Sequence, residues 1–165
     1  MMTKIILLTM LLFGLNIVQD PATLDSLRSA YPRAIKDSET CEKQLVGIKK
    51  MKNPTPIEQA YIGAYYAVRA KHLTSPLKKL NNFKEGKAQL ETAVRRDPGN
   101  VEIHFLRLTI QYSAPKILGY KDHISPDLQI VMNKYSEAKP TVLKAHIKEF
   151  LLQTDLLSAA QRAKL

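Results

Sequence analysis

The stretch "ETAVRRDPGNVEIHFLR", residues 91–107, decides the fold. Ala93 and Val94 close the apolar face of one helix, and Arg95-Arg96 fall in its last turn, where cations suit exposed carbonyls. Pro98 cannot continue that helix, Gly99 is expected to permit the reversal, and Asn100 can cap the next helix by accepting from its first amides. Val101, Phe105, Leu108 and Tyr112 then recur at helical spacing. The four-residue corner Asp97-Pro98-Gly99-Asn100 therefore predicts two amphipathic helices folded back on one another.

The same punctuation recurs outward from this corner. Thr55-Pro56 with Glu58 is a capping box with proline at the first helical position, so a helix is predicted from Pro56 onward. Ser75-Pro76 and Ser125-Pro126 repeat the device, each ahead of apolar residues at helical spacing, and Lys139-Pro140 opens another helix through Val142, Ile147 and Leu151. A short helix is expected after Ser158. Toward the N-terminus, Leu24, Leu27, Tyr31, Ala34, Cys41, Leu45 and Ile48 share one face of a helix over residues 22–51, which Pro32 should start, kink or divide. With no Trp, 6 Gly, and Val and Ile scattered among Lys, Glu, Ala and Leu, nothing favours a sheet. The fold class is all-α, built of antiparallel helical hairpins in a single domain over residues 20–165, with hydrophobic residues at 45% and charged ones at 24% supporting a core.

Residues 1–19 read as a signal peptide. Lys4 precedes an apolar run from Ile5 to Val18, shorter than the roughly twenty residues of a membrane span. The membrane is then met only transiently, and the mature chain is expected to be periplasmic or secreted. Cys41 is the sole cysteine, which excludes an internal disulfide framework, and its place on an apolar stripe predicts a buried small hydrophobe.

Net charge is +10, but 15 basic and 9 acidic residues lie in 20–100 against 9 and 6 from 101 onward, so the excess is spread over both halves. Without aromatic and basic interleaving, this describes a solvated basic surface and no nucleic-acid site. His72, His104, His123 and His146 lack the spacings of a zinc site, and phosphate-binding loops and nucleophile elbows are absent. No catalytic, metal-binding or cofactor-binding residue is assigned. Residues 113–125, "SAPKILGYKDHIS", break helical order and group Tyr120, Asp122 and His123. They form a candidate binding loop, although Ile117, Leu118 and Tyr120 plugging the end of a helical stack is the preferred reading.

Glu58 to Asn100 resembles a tetratricopeptide repeat. Ile62, Gly63 and Tyr66 look like the Leu-Gly-x-x-Tyr of its first helix, Gly86, Leu90 and Ala93 like the small-large-small set of its second, and Pro98 like its terminal proline. The 16 residues between Tyr66 and Phe83 exceed the about five of a regular repeat, so helices are lengthened or a segment is inserted. The longer order, including Leu24 to Tyr31, Phe105-Leu106-Arg107 and Leu118-Gly119-Tyr120, is similar to small exported tetratricopeptide-like proteins of Bacteroidota with no assigned activity.

The resemblance implies a tetratricopeptide-like superhelix whose concave face binds an extended peptide or partner helix. Glu102, Phe105, Thr109 and Tyr112, together with Tyr120 and His123, are the partner-binding candidates. Packing as core is the preferred alternative for Phe105 and Tyr112. The expectation is thus a non-catalytic scaffold for a protein or peptide partner in the cell envelope. The alternatives are a module for an anionic polymer or lipid and a small hydrolase using Tyr120, Asp122 and His123.

Overall fold

Hairpin geometry starts from two glycines. The structure, a computed structural model describing residues 22–163 and Leu165, places Gly63 of one helix against Gly86 of the next. A Cβ at Gly63 would come 2.7 Å from the Gly86 carbonyl oxygen, and one at Gly86 would come 2.6 Å from the Gly63 carbonyl oxygen. Only hydrogen at both positions lets the two backbones approach this closely. Helices α3 (Pro56–His72) and α4 (Pro76–Arg96) pack antiparallel along this contact, with Gln59 bonded to Gln89 at one end and Arg69 to Asn82 at the other. The long spacing inside the repeat-like segment is therefore helix: α3 runs on past Tyr66 and α4 starts well before Phe83.

Helices α1 (Leu24–Ala34) and α2 (Ser38–Ile48) precede the hairpin, and α5 (Val101–Ser113), α6 (Ile124–Lys134), α7 (Thr141–Gln153) and the short α8 (Ala159–Arg162) follow it. All regular structure among the described residues is helical, and the expected all-α class is what the chain adopts. The signal-peptide residues 1–19 lie outside the described residues.

Most helix starts fall where the caps predict. The Thr55 hydroxyl accepts from Glu58 N at 3.4 Å while Glu58 Oε2 accepts from Thr55 N at 2.8 Å, and Asn100 Oδ1 accepts from both Glu102 N and Ile103 N. Ser158 forms another reciprocal box with Gln161, as Thr23 does with Ser26.

Three expectations are corrected. Pro32 sits inside α1; the chain breaks beyond it, where Lys36 N and Asp37 N both turn back to the Arg33 carbonyl and Asp37 caps α2. Ser125 does not cap α6, which begins at Ile124 with His123 at the cap position and no side-chain bond there. Gly99 is not needed for the reversal, because it avoids the left-handed region and a Cβ there would meet only Lys134 Nζ at 3.5 Å. Left-handed backbone occurs instead at Asn53 and Gly119, residue types that tolerate it.

Helix α5 is the centre of the molecule. Ten successive residues, Glu102 to Gln111, are buried. Ile103, Leu106 and Ile110 join the core formed with α1–α4, while Phe105 and Leu108 join a second core formed with α6, α7 and the C-terminal segment. A helix buried all round must satisfy every polar side chain it carries. Glu102 receives Arg28 through Nε at 2.7 Å and Nη2 at 2.8 Å, plus the Tyr61 hydroxyl at 2.8 Å. Asp127 of α6 receives His104, Arg107 and Gln111, and Arg107 also reaches Glu91, which accepts from Tyr120. No buried side-chain nitrogen or oxygen among the described residues lacks a partner.

Candidate functional site

Between the two cores, a half-open cleft of about 790 Å³ follows one side of α5. The C-terminal turns of α1 and α3 and the first turns of α4 form one wall, through Tyr31, Ile35, Val68, Leu80 and Phe83. Helix α7 forms the other through His146, Glu149 and Phe150. Phe105, Thr109, Ile110 and Ala114 make the floor, and the turn at 115–118 makes a lip with Ile117 93% exposed. The size lies within the roughly 300–1,000 Å³ of small-molecule sites.

The walls are fixed in place. Phe150 contacts Phe105 and Tyr112 edge-on at 5.7 and 5.8 Å, and Phe83 meets Tyr120 likewise at 5.8 Å. His72 Nε2 lies 2.8 Å from the Ala34 carbonyl, tying the end of α3 to the end of α1. Where that wall meets the floor, the Tyr31 and Thr109 hydroxyls lie 2.9 Å apart, and Thr109 also donates to the Leu106 carbonyl. These hydroxyls are engaged within the protein. Burial pushes the Tyr31 phenol well above its ordinary range and lowers His146 below the usual histidine value, so both favour the neutral form.

Charge is confined to the edges. Lys36, Lys71 and Lys79 line the cleft where α1 and α3 end and α4 begins, and Glu149 stands across from them on α7. Arg28, Arg69 and Arg107 are each ion-paired, but none of these three lysines is in an ion pair among the described residues.

The candidates from sequence separate in space. Phe105 and Thr109 line the cleft. Glu102 does not; it edges a smaller depression of about 300 Å³ with Arg28, Asn100 and Lys134, its carboxylate already held by Arg28 and Tyr61. Tyr112 is half-buried beneath Phe150 with its hydroxyl on Asp155 at 3.0 Å. Tyr120 is buried, its hydroxyl donating to Glu91 at 2.7 Å, while Asp122 and His123 are exposed. Tyr120, Asp122 and His123 therefore share no pocket. Of the expected plug, Tyr120 and Leu118 pack on the first core and Ile117 stands in solvent.

Cys41 is buried, with its thiol pushed up to about 12 chiefly by burial. Among the described residues no cluster of three or more His, Cys, Asp or Glu could hold a metal ion. Sequence reasoning missed Ile110, Phe83, Phe150 and the three lysines as neighbours. The periodicity that marks their helices does not say which faces stay unfilled after packing. Comparison with protein-family models, curated proteins and solved structures gives no match for this chain.

Proposed function

We propose that this chain is an exported, non-catalytic, tetratricopeptide-like scaffold that binds a partner in the cell envelope, with the cleft as its binding site and apolar surface of whatever it binds as what enters. One observation carries the reading: a preformed cleft of about 790 Å³ with a mostly apolar lining, whose Tyr31 and Thr109 hydroxyls are bonded to one another. Such a lining rewards burial of apolar surface at about 25 cal/mol per Å² and offers little to polarise a reacting bond. Export is supported by Lys4 and the apolar run behind it, and the repeat-like build by the Gly63–Gly86 contact within an antiparallel hairpin.

The test is uptake of Nile red, a neutral apolar dye, by the purified chain. Emission should rise and saturate at one dye per chain. Ser113→Trp places a large ring at an exposed position of the cleft lining, and it should abolish the uptake while leaving helix content unchanged by circular dichroism. Equal uptake by the well-folded variant would remove the cleft from the proposal.

A further inference from the structure

The geometry points to a long-chain carboxylate, a single-chain anionic amphiphile, as the ligand of this cleft, with its tail over α5 and its headgroup on Lys36, Lys71 and Lys79; this rests on the cleft being the binding site. Size is the first ground. The cleft's about 790 Å³ lies in the range of small-molecule sites. An extended peptide meets an obstacle there. Each of its residues brings a donor and an acceptor that must be paired. The hydroxyls of Tyr31 and Thr109 are committed to one another and to the Leu106 carbonyl. An alkyl chain asks nothing of that floor.

Charge is the second ground. Lys36 lies just past the end of α1, Lys71 in the last turn of α3 and Lys79 in the first turns of α4, so all three border the cleft on the same wall. Lys71 Nζ donates to the Ile35 carbonyl at 3.2 Å, which holds it at the α1 end and leaves its other protons for a ligand. None of the three is neutralised by a carboxylate among the described residues, whereas Arg28, Arg69 and Arg107 are. The opposite wall carries Glu149, whose charge disfavours an anion on that side, so an anion is drawn to the lysine wall. Exposed Leu80 and Ile117 border the same opening and give the first methylenes an apolar surface on the way in.

Displacement of Nile red separates this proposal from the reading it rests on. Palmitate should displace the dye about tenfold better than hexadecanol, the contribution expected of a few exposed ion pairs. Affinity should rise about threefold to fourfold per added methylene through the saturated series until the cleft is full. Lys36→Gln, Lys71→Gln and Lys79→Gln combined should bring palmitate to within twofold of hexadecanol, both read in the same variant, with helix content unchanged by circular dichroism. Equal displacement by acid and alcohol in the unaltered chain overturns the carboxylate assignment while the cleft reading stands. Displacement by an acidic amphipathic peptide but not by palmitate does the same and assigns the site to a protein segment. Failure of the chain to take up dye overturns both.

Discussion

Asp127→Ala tests whether the polar core of α5 is as integral as its geometry indicates. The carboxylate has no exposed surface and accepts four hydrogen bonds: His104 Nδ1 at 2.6 Å, Arg107 Nε at 2.8 Å and Nη2 at 2.7 Å, and Gln111 Nε2 at 2.6 Å. Hydrogen bonds to charged groups contribute roughly 1.5–3 kcal/mol each, so a simple sum would reach about 6–12 kcal/mol. That sum is too large, because His104 retains the Pro98 carbonyl at 2.9 Å and Arg107 retains Glu91 at 2.9 Å. The governing quantity is the cost of breaking a buried pair from one side, about 3–5 kcal/mol. With a urea slope of about 2 kcal/mol/M, the unfolding midpoint should fall by about 1.5–2.5 M, and Tm by about 6–20 °C. A midpoint within 0.5 M of the unaltered chain, at unchanged slope, would refute the reasoning. The effect also has a pH signature. Burial alone would raise the Asp127 carboxyl, but hydrogen bonds from His104 and Arg107 hold it below the ordinary carboxylate value. Since the folded value lies below the unfolded value of about 3.9, the stabilisation is complete above that pH and is lost as pH falls through the folded value. The gap between variant and unaltered chain should therefore be constant near neutrality and close in acid.

Gly86→Ala gains about 1 kcal/mol of helix propensity but drives a methyl group to 2.6 Å from a carbonyl oxygen and 2.8 Å from a backbone nitrogen, neither able to swing aside. Overpacking of that kind costs typically 1–3 kcal/mol or more, so a net loss of about 1–2 kcal/mol is expected in urea. Gly99→Ala, with open space and no left-handed backbone, should stay within about 0.5 kcal/mol. Asn100→Ala removes an acceptor shared by two amides and should cost about 1 kcal/mol, read from the same titration. Cys41, 1% exposed and with its thiolate disfavoured by burial, should resist thiol reagents at mildly alkaline pH until denaturant is added; stoichiometric labelling of the native chain would contradict its placement.

What the residues disclose follows from the range of the interactions. Caps are local, and Thr55, Asn100 and Ser158 start helices where their spacing predicts because donor and acceptor lie two or three residues apart. Small residues in register are nearly as legible: Gly63 and Gly86 stand out as packing positions before any contact is known. Proline misleads at position 32, where its ring is accommodated in the last turns of α1, and at 126, where the helix begins two residues earlier. The candidate site is less legible. Glu102 looks like a groove residue on the helix that supplies the floor, yet its partners Arg28 and Tyr61 lie 74 and 41 residues away and turn it inward. Phe105 and Thr109 do line the cleft, but that depends on α7 closing the far side and on α4 beginning early enough to bring Leu80 and Lys79 to the opening. Neither distance is written in a local pattern.

Helix α5 belongs to two cores at once, and this bears on how the chain comes apart. Shedding α6 and α7 would strand Phe105 and Leu108 in water, and shedding α1 to α4 would strand Ile103, Leu106 and Ile110 on the opposite face of the same helix. Either loss also opens a buried ion pair, Arg107–Asp127 in the first case and Arg28–Glu102 in the second. Neither half has a resting place of its own, so heat or denaturant should meet one cooperative unit, and the α5 amides should exchange with solvent only through its complete unfolding.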